Sequence, residues 1–197
     1  MNLNTTTRHV AAALTGAALL LAVSACGDDS GKKLNNWAKG VCDQAQTQVK
    51  KIDDANTAIS KVNSAGAPKD VKAADSAAFQ SISDAYKSLA QIFSSAGPAP
   101  KGDEGKTFQQ NAVSVFTNLS SQYAALKKQV DGLDTSNQAK FADGLRGVSD
   151  SLNQTTSNGE KSLTTLRQGD AGKALAKQPG CQRVSGTASP TASATSS

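Results

Sequence analysis

The residue with the most definite chemistry is Cys26. It closes the stretch Leu21-Ala22-Val23-Ser24-Ala25-Cys26, with an apolar residue three positions before the cysteine and small residues between. That arrangement reads as a lipobox. The peptide bond before Cys26 is expected to be cut, and the thiol to carry a diacylglycerol. Residues 1–25 are then a lipoprotein signal peptide, with a polar start holding Arg8 and His9 and an uncharged apolar run from Val10 to Val23. The run falls short of the roughly 20 residues a membrane-spanning helix needs. The alternative is an ordinary secretory signal in which Cys26 is incidental. Two acyl chains, at about 0.8 kcal/mol per buried CH₂, anchor a protein stably where one holds it only marginally. The expected location is the outer face of the cytoplasmic membrane, with some protein released.

The two remaining cysteines, Cys42 and Cys181, have a simpler chemistry. Outside the cytoplasm a lone pair reads as one disulfide, and no C-x-x-C motif suggests a redox pair. Signal cleavage also removes His9 and Met1, the sole His and the sole Met. A mature chain without either has no His-based triad, no His-ligated zinc or haem and no Met/His copper site. The nearest acidic groupings are Asp53-Asp54, Asp131 with Asp134, and Asp143 with Asp150. None has the order or the Gly of a calcium loop, and such spacing on helices is usually surface charge. The one S-x-x-K, Ser30 to Lys33, lies where nothing would orient it. Gly144 and Gly147 form no phosphate loop, since no strand precedes them, and are better suited to a close helix approach. Trp37 stands near one cysteine and near the anchor. No catalytic residue, metal site or cofactor is expected, and the chain reads as a non-enzyme.

These residues must be carried by helices. Residues 26–33 are polar and read as a tether rather than an element. From Leu34, Trp37, Val41, Ala45, Val49, Ile52, Ile59 and Val62 recur at helical steps, until Gly66 and Pro68. A second stripe runs from Val71 through Ile82 and Leu89 to Ile92, with Phe79, Tyr86 and Phe93 beside it. It stops at Gly97-Pro98. A third helix is expected to open at a Thr107–Gln110 capping box and to run to Gly132. A fourth is expected to open at a Thr135–Gln138 box. Thr155 to Gly159 predict a kink or break near Asn158, and Gly169-Asp170 a stop before a last turn through Leu175. Gln178 to Cys181 should end the structure.

Nothing alternates with period two, so the expected class is all-α. The economical architecture is an antiparallel up-down-up-down four-helix bundle over residues 34–181, its last helix kinked or broken. In such a bundle Cys42 and Cys181 fall at the same end, as one disulfide joining its ends requires. Residues 182–197, rich in Ser, Thr, Ala and Pro, read as a disordered tail.

The formal charge of +5 comes mostly from dispersed Lys, without the concentrated cations and interleaved aromatics of a nucleic-acid reader. No nucleic-acid partner is expected. The membrane is a partner through the lipid on Cys26.

The segments Trp37-Ala38-Lys39-Gly40-Val41-Cys42-Asp43-Gln44, Lys140-Phe141-Ala142-Asp143-Gly144-Leu145 and Lys177-Gln178-Pro179-Gly180-Cys181 resemble small secreted lipoproteins of high-GC Gram-positive bacteria, over about residues 26–183. The resemblance implies the same compartment and supplies no substrate and no functional residue. The expected role is therefore binding by a lipid-anchored helical domain, to an envelope protein, a polymer or a small ligand. The alternative is a small-ligand or lipid carrier with a cavity between its helices.

Overall fold

The computed structural model describes residues 26–63 and 65–182. The signal peptide read at 1–25, Ser64 and the tail from 183 onward lie outside the described residues, as do the side chains of 26–28, the Cys26 thiol among them. The described chain is all-helical. Four long helices are α1 (Cys26–Lys61), α2 (Pro68–Ala96), α3 (Gly102–Asp131) and α4 (Gln138–Arg167). Two short ones follow, α5 (Gly169–Ala176) and α6 (Pro179–Gln182). No strand occurs among the described residues.

Several boundaries differ from the expectation, each for a local reason. Asp29–Lys33, read as part of a tether, are helical and exposed, and the first buried side chain among the described residues of α1 is Leu34. A polar segment can continue an established helix outward without burying apolar surface, because each added residue gains a backbone hydrogen bond. The third helix starts at Gly102, so Thr107 is interior and its capping box does not open the helix. Asp103 and Glu104 occupy the first turn, where negative charge complements the helix dipole. The fourth helix is capped by Asn137, whose side chain accepts from the Lys140 backbone N–H at 3.0 Å, in place of the box at Thr135.

No break occurs near Asn158. α4 runs on through Thr155 and Gly159, both buried. Burial of these two positions outweighs their weak helix propensity. The break falls at Gln168–Gly169, where Gln168 is extended and Gly169 has φ +76°. That left-handed conformation comes readily only to glycine. The chain then makes α5, the expected last turn through Leu175, and adds the unexpected one-turn α6, which includes Gln182.

The core is built mainly between α2 and α3. Seven of the eight aromatic residues form one chain of ring contacts: Phe79–Tyr123, Tyr123–Tyr86, Tyr86–Phe116, Phe116–Phe93, Phe93–Phe108 and Phe108–Trp37, with centroids 5.3 to 6.2 Å apart. Only Phe141 stands outside it. Such pairs contribute about 0.5–1.5 kcal/mol each beyond their area burial. Where the rings leave room, Ser83 lets the two helices approach, and its hydroxyl donates to the Ser120 carbonyl at 2.8 Å. Gln109 of α3 donates to the carbonyls of Phe93 and Ser94 at 3.1 and 3.2 Å, satisfying acceptors at the end of α2.

α1 packs on α2, and α4 packs on α3 and α5. α1 and α4 share no extensive contact; α5 and α6 lie against α1 instead. The Trp37 indole N–H donates to the Gly97 carbonyl at 3.3 Å, bringing the loop after α2 to the first turns of the α1 body. Cys42 and Cys181 come to disulfide distance, with Cα atoms 5.2 Å apart. Gly180 makes this possible, because a Cβ there would stand 2.7 Å from the Cys42 carbonyl oxygen. The same end of the molecule thus holds Trp37, Cys42 and Cys181.

Candidate functional site

The acidic groupings considered for chemistry resolve into ordinary surface pairs. Asp54 meets Lys50 at 2.7 Å, and Asp143 meets Arg146. Asp131 accepts from Lys127 at 2.5 Å and from Ser76 at 2.6 Å, and these bonds hold its carboxyl below the usual range. Asp134 accepts from Ser136 at 2.6 Å and is lowered for the same kind of reason. Asp131 and Asp134 therefore face separate partners. Among the described residues no group of three or more His, Cys, Asp or Glu could hold a metal ion. No described helix is long and apolar enough to cross a membrane. Gly144 does permit a close approach, to the Leu133 side chain, while a Cβ at Gly147 would meet open space.

Three of the spaces in the molecule lie along α4. The helix offers α3 few large side chains: its buried residues are Phe141, Val148, Thr155 and Gly159. Small residues of this kind leave gaps unless the helices close on them. Gly159 does close, and a Cβ there would come 2.9 Å from Leu119. To either side the helices part.

Toward the Asn137 end lies a polar cleft of about 310 Å³, walled by Gln122 and Gln129 of α3 and by Ser151, Gln154 and Asn158 of α4. The Gln122 side-chain oxygen is buried there without a hydrogen-bond partner. Toward the Arg167 end lies a larger cleft of about 550 Å³, lined by Thr107, Asn111 and Ser114 of α3, by Ser162 and Thr165 of α4, and by Gln168. Glu104 is its one charged residue. Its Oε1 accepts a long bond, 3.5 Å, from the Asp170 backbone N–H at the start of α5.

Adjoining this cleft is a smaller, half-open apolar space of about 80 Å³. Ala45, Leu89, Phe93, Phe116, Leu163 and Leu175 wall it, together with Cys181, so that every helix contributes. Phe108 and Leu166 line both this space and the outer cleft. Trp37 packs edge-on against Phe108, at 6.0 Å.

Ionisable groups inside the molecule are few. Burial raises Tyr123, while a hydrogen bond with Thr156 of α4 works the other way. Tyr86 is raised by burial and, secondarily, by Tyr123 and by Asp53 of α1. Asp75 of α2 is half-buried, and loss of hydration pushes its carboxyl up to about 6. Sequence reading missed Asp75. The signal was its spacing, since Val71, Asp75 and Phe79 recur every four residues on the stripe that carries Ile82. A further cleft, of about 530 Å³, lies beside Lys69, Lys72 and Lys127. Lys127 is occupied by Asp131, and Lys72 donates to the Leu133 carbonyl at 3.0 Å.

The walls along α4 are therefore hydroxyls, amides and apolar carbons. They can hold a molecule by hydrogen bonding and burial, and they present no paired acid and base. A scan against protein-family models, a search of curated proteins and a search of solved structures each found no match to this chain.

Proposed function

We propose that the protein is a lipid-anchored, extracytoplasmic binding domain without catalytic activity, held at the outer face of the cytoplasmic membrane through Cys26. The observation that carries the binding part is the gapped α3–α4 seam, walled by Thr107, Asn111, Ser114, Ser162 and Thr165. The anchor rests on the residues before Cys26. We read the four long helices as an up-down-up-down antiparallel bundle opened on its α4 side. In this reading Trp37, Cys42 and Cys181 face the membrane and the turn at Gly132–Ser136 faces outward.

A second reading, a carrier of a small ligand or lipid, is favoured by the half-open apolar space to which every helix contributes. The two readings share the seam and differ in its occupant.

Cys26→Ala should move the mature chain from the membrane fraction to the soluble one; retention in the membrane fraction would sink the anchor. A photo-crosslinking side chain at Asn111, irradiated in intact cells, should capture whatever occupies the seam. Absence of any adduct there, with adducts recovered from other faces, would sink the choice of site.

A further inference from the structure

We infer that the Cys42–Cys181 disulfide is a reducible latch on the half-open apolar space: a dithiol reductant attacks the Cys181 sulfur, α6 is released, and the space opens on the side that Cys181 walls. The latch is independent of what occupies the α3–α4 seam.

The two halves of the bond are unequally placed. Cys42 is 1 % exposed. Cys181 is half-buried and lines the half-open space. In thiol–disulfide exchange a thiolate attacks one sulfur and the other sulfur leaves. The open approach leads to Cys181, so the leaving sulfur is that of Cys42. Its Sγ stands 3.7 Å from the Leu175 carbonyl oxygen. In the disulfide Cys42 has no proton for that oxygen. Once reduced it gains one, and the thiol, a weak donor, has its acceptor in place. A dithiol alone completes the balance. Its first thiolate forms a mixed disulfide with Cys181 and expels Cys42. Its second thiolate attacks the reductant's own sulfur in that mixed disulfide and expels Cys181. The dithiol is oxidised to its disulfide, the protein takes up two electrons, and two protons end on Cys42 and Cys181.

The element released is the one with the least other hold. α6 is a single turn, Pro179–Gln182, and none of its residues is buried. Gly180 lies against the Cys42 carbonyl, a contact of backbone with backbone. The Cys181 N–H donates to the Gln178 carbonyl at 3.0 Å, within the same stretch of chain. The bond across to α1 is the disulfide. α5 differs, since Ala171, Ala174 and Leu175 are buried and keep an apolar hold when the disulfide opens. Exposed disulfides are the labile and regulatory ones. Cys42 and Cys181 lie too far apart in sequence to form a catalytic C-x-x-C pair; they are the substrate of a dithiol.

The experiment uses the Cys26→Ala protein, in which Cys42 and Cys181 are the only cysteines. It is incubated with dithiothreitol, and free thiols are counted over time. Both thiols should appear at a rate that urea below the unfolding transition leaves unchanged, with helix content by circular dichroism retained. A disulfide that only closes the fold is reached through global unfolding, and its reduction accelerates steeply with urea. With glutathione in place of the dithiol, quenching into urea and N-ethylmaleimide should recover glutathione on Cys181 and the maleimide on Cys42. The reduced protein should show severalfold more Nile red emission than the oxidised one. Cys181→Ser should show the same gain without reductant, and dithiothreitol should add nothing to it. Reduction that tracks global unfolding, glutathione recovered on Cys42, loss of helix content on reduction, or no Nile red gain in the folded reduced protein would each overturn the latch. None of these outcomes bears on the crosslink at Asn111, so the seam stands or falls separately.

Discussion

α3 has two neighbours and meets them in opposite ways. Its seam with α2 is filled by rings from Phe79 to Phe93 and opens only at its Lys69 end, while its seam with α4 is gapped and lined by hydroxyls and amides. On the α2 side Phe79, Ile82 and Leu89 are almost wholly buried, and the buried hydroxyl of Ser83 has its acceptor. On the α4 side the buried set includes Thr155 and Gly159, and the buried oxygen of Gln122 has no acceptor role filled. The first seam holds the fold. The second leaves surface and volume available for another molecule. Within one short chain, one face of α3 thus meets large rings and another meets small polar residues.

The comparison meets its strongest test at the disulfide. α4 gains little from α3, and the region is closed from the other side, where α5 and α6 lie on α1 beside Cys42 and Cys181. Joining positions 139 apart constrains the unfolded chain by about 5 kcal/mol in the chain-entropy model. Cys42→Ser with Cys181→Ser should lower the unfolding free energy in urea by several kcal/mol. It should also accelerate amide exchange in α4 and α5 more than in α2. A loss under ~1 kcal/mol, with exchange unchanged, would mean that the α4 side closes without the link.

A pair of truncations sharpens the contrast. Phe79 touches Tyr123 and is 2 % exposed, so Phe79→Ala should cost about 3–5 kcal/mol. Leu152 of α4 is half-buried, and Leu152→Ala should cost about 1–2 kcal/mol, because part of its surface is already in water. Equal losses in the two variants, read from urea midpoints, would erase the difference between the seams.

The sequence made the helices legible and their contacts only partly so. Apolar steps of three and four located α1 and α2 and the stripe of α3 from Phe108 to Val130. The shared end for Cys42 and Cys181 followed from helix direction alone. Helix starts were harder. The capping pattern at Thr107 is overridden by an acidic turn and Gly102 five residues earlier, and the one at Thr135 by Asn137. The expected break at Asn158 failed because propensity at Thr155 and Gly159 is local, whereas their burial depends on another helix. The candidate site was least legible. Threonines and serines on a helix look like a solvated face, and only packing distinguishes a hydroxyl in water from one lining a cleft.

Asp75 offers the finest test, because it is a half-buried carboxylate on the stripe of α2. It sits on the α2 stripe between Val71 and Phe79, where water is scarce and the charged form is disfavoured. Its carboxyl rises from an ordinary 3.8 to about 6, so the folded protein holds this proton more tightly than the unfolded chain does. The sign follows from linkage: between those two values the native state binds the extra proton, and stability falls as pH rises through that window. The displacement corresponds to about 3 kcal/mol before screening. Remaining solvent contact reduces it to about 1 kcal/mol. Asp131, Asp134 and Asp170 act in the opposite sense at lower pH, since their partners hold them below the usual range and their contribution is lost on acidification. They are common to both proteins in a comparison of wild type with Asp75→Asn and cancel there. Thermal melts should therefore show the variant more stable by about 1 kcal/mol above pH 6, with the advantage shrinking toward pH 4. An advantage that is constant with pH would mean that Asp75 is hydrated in the folded protein.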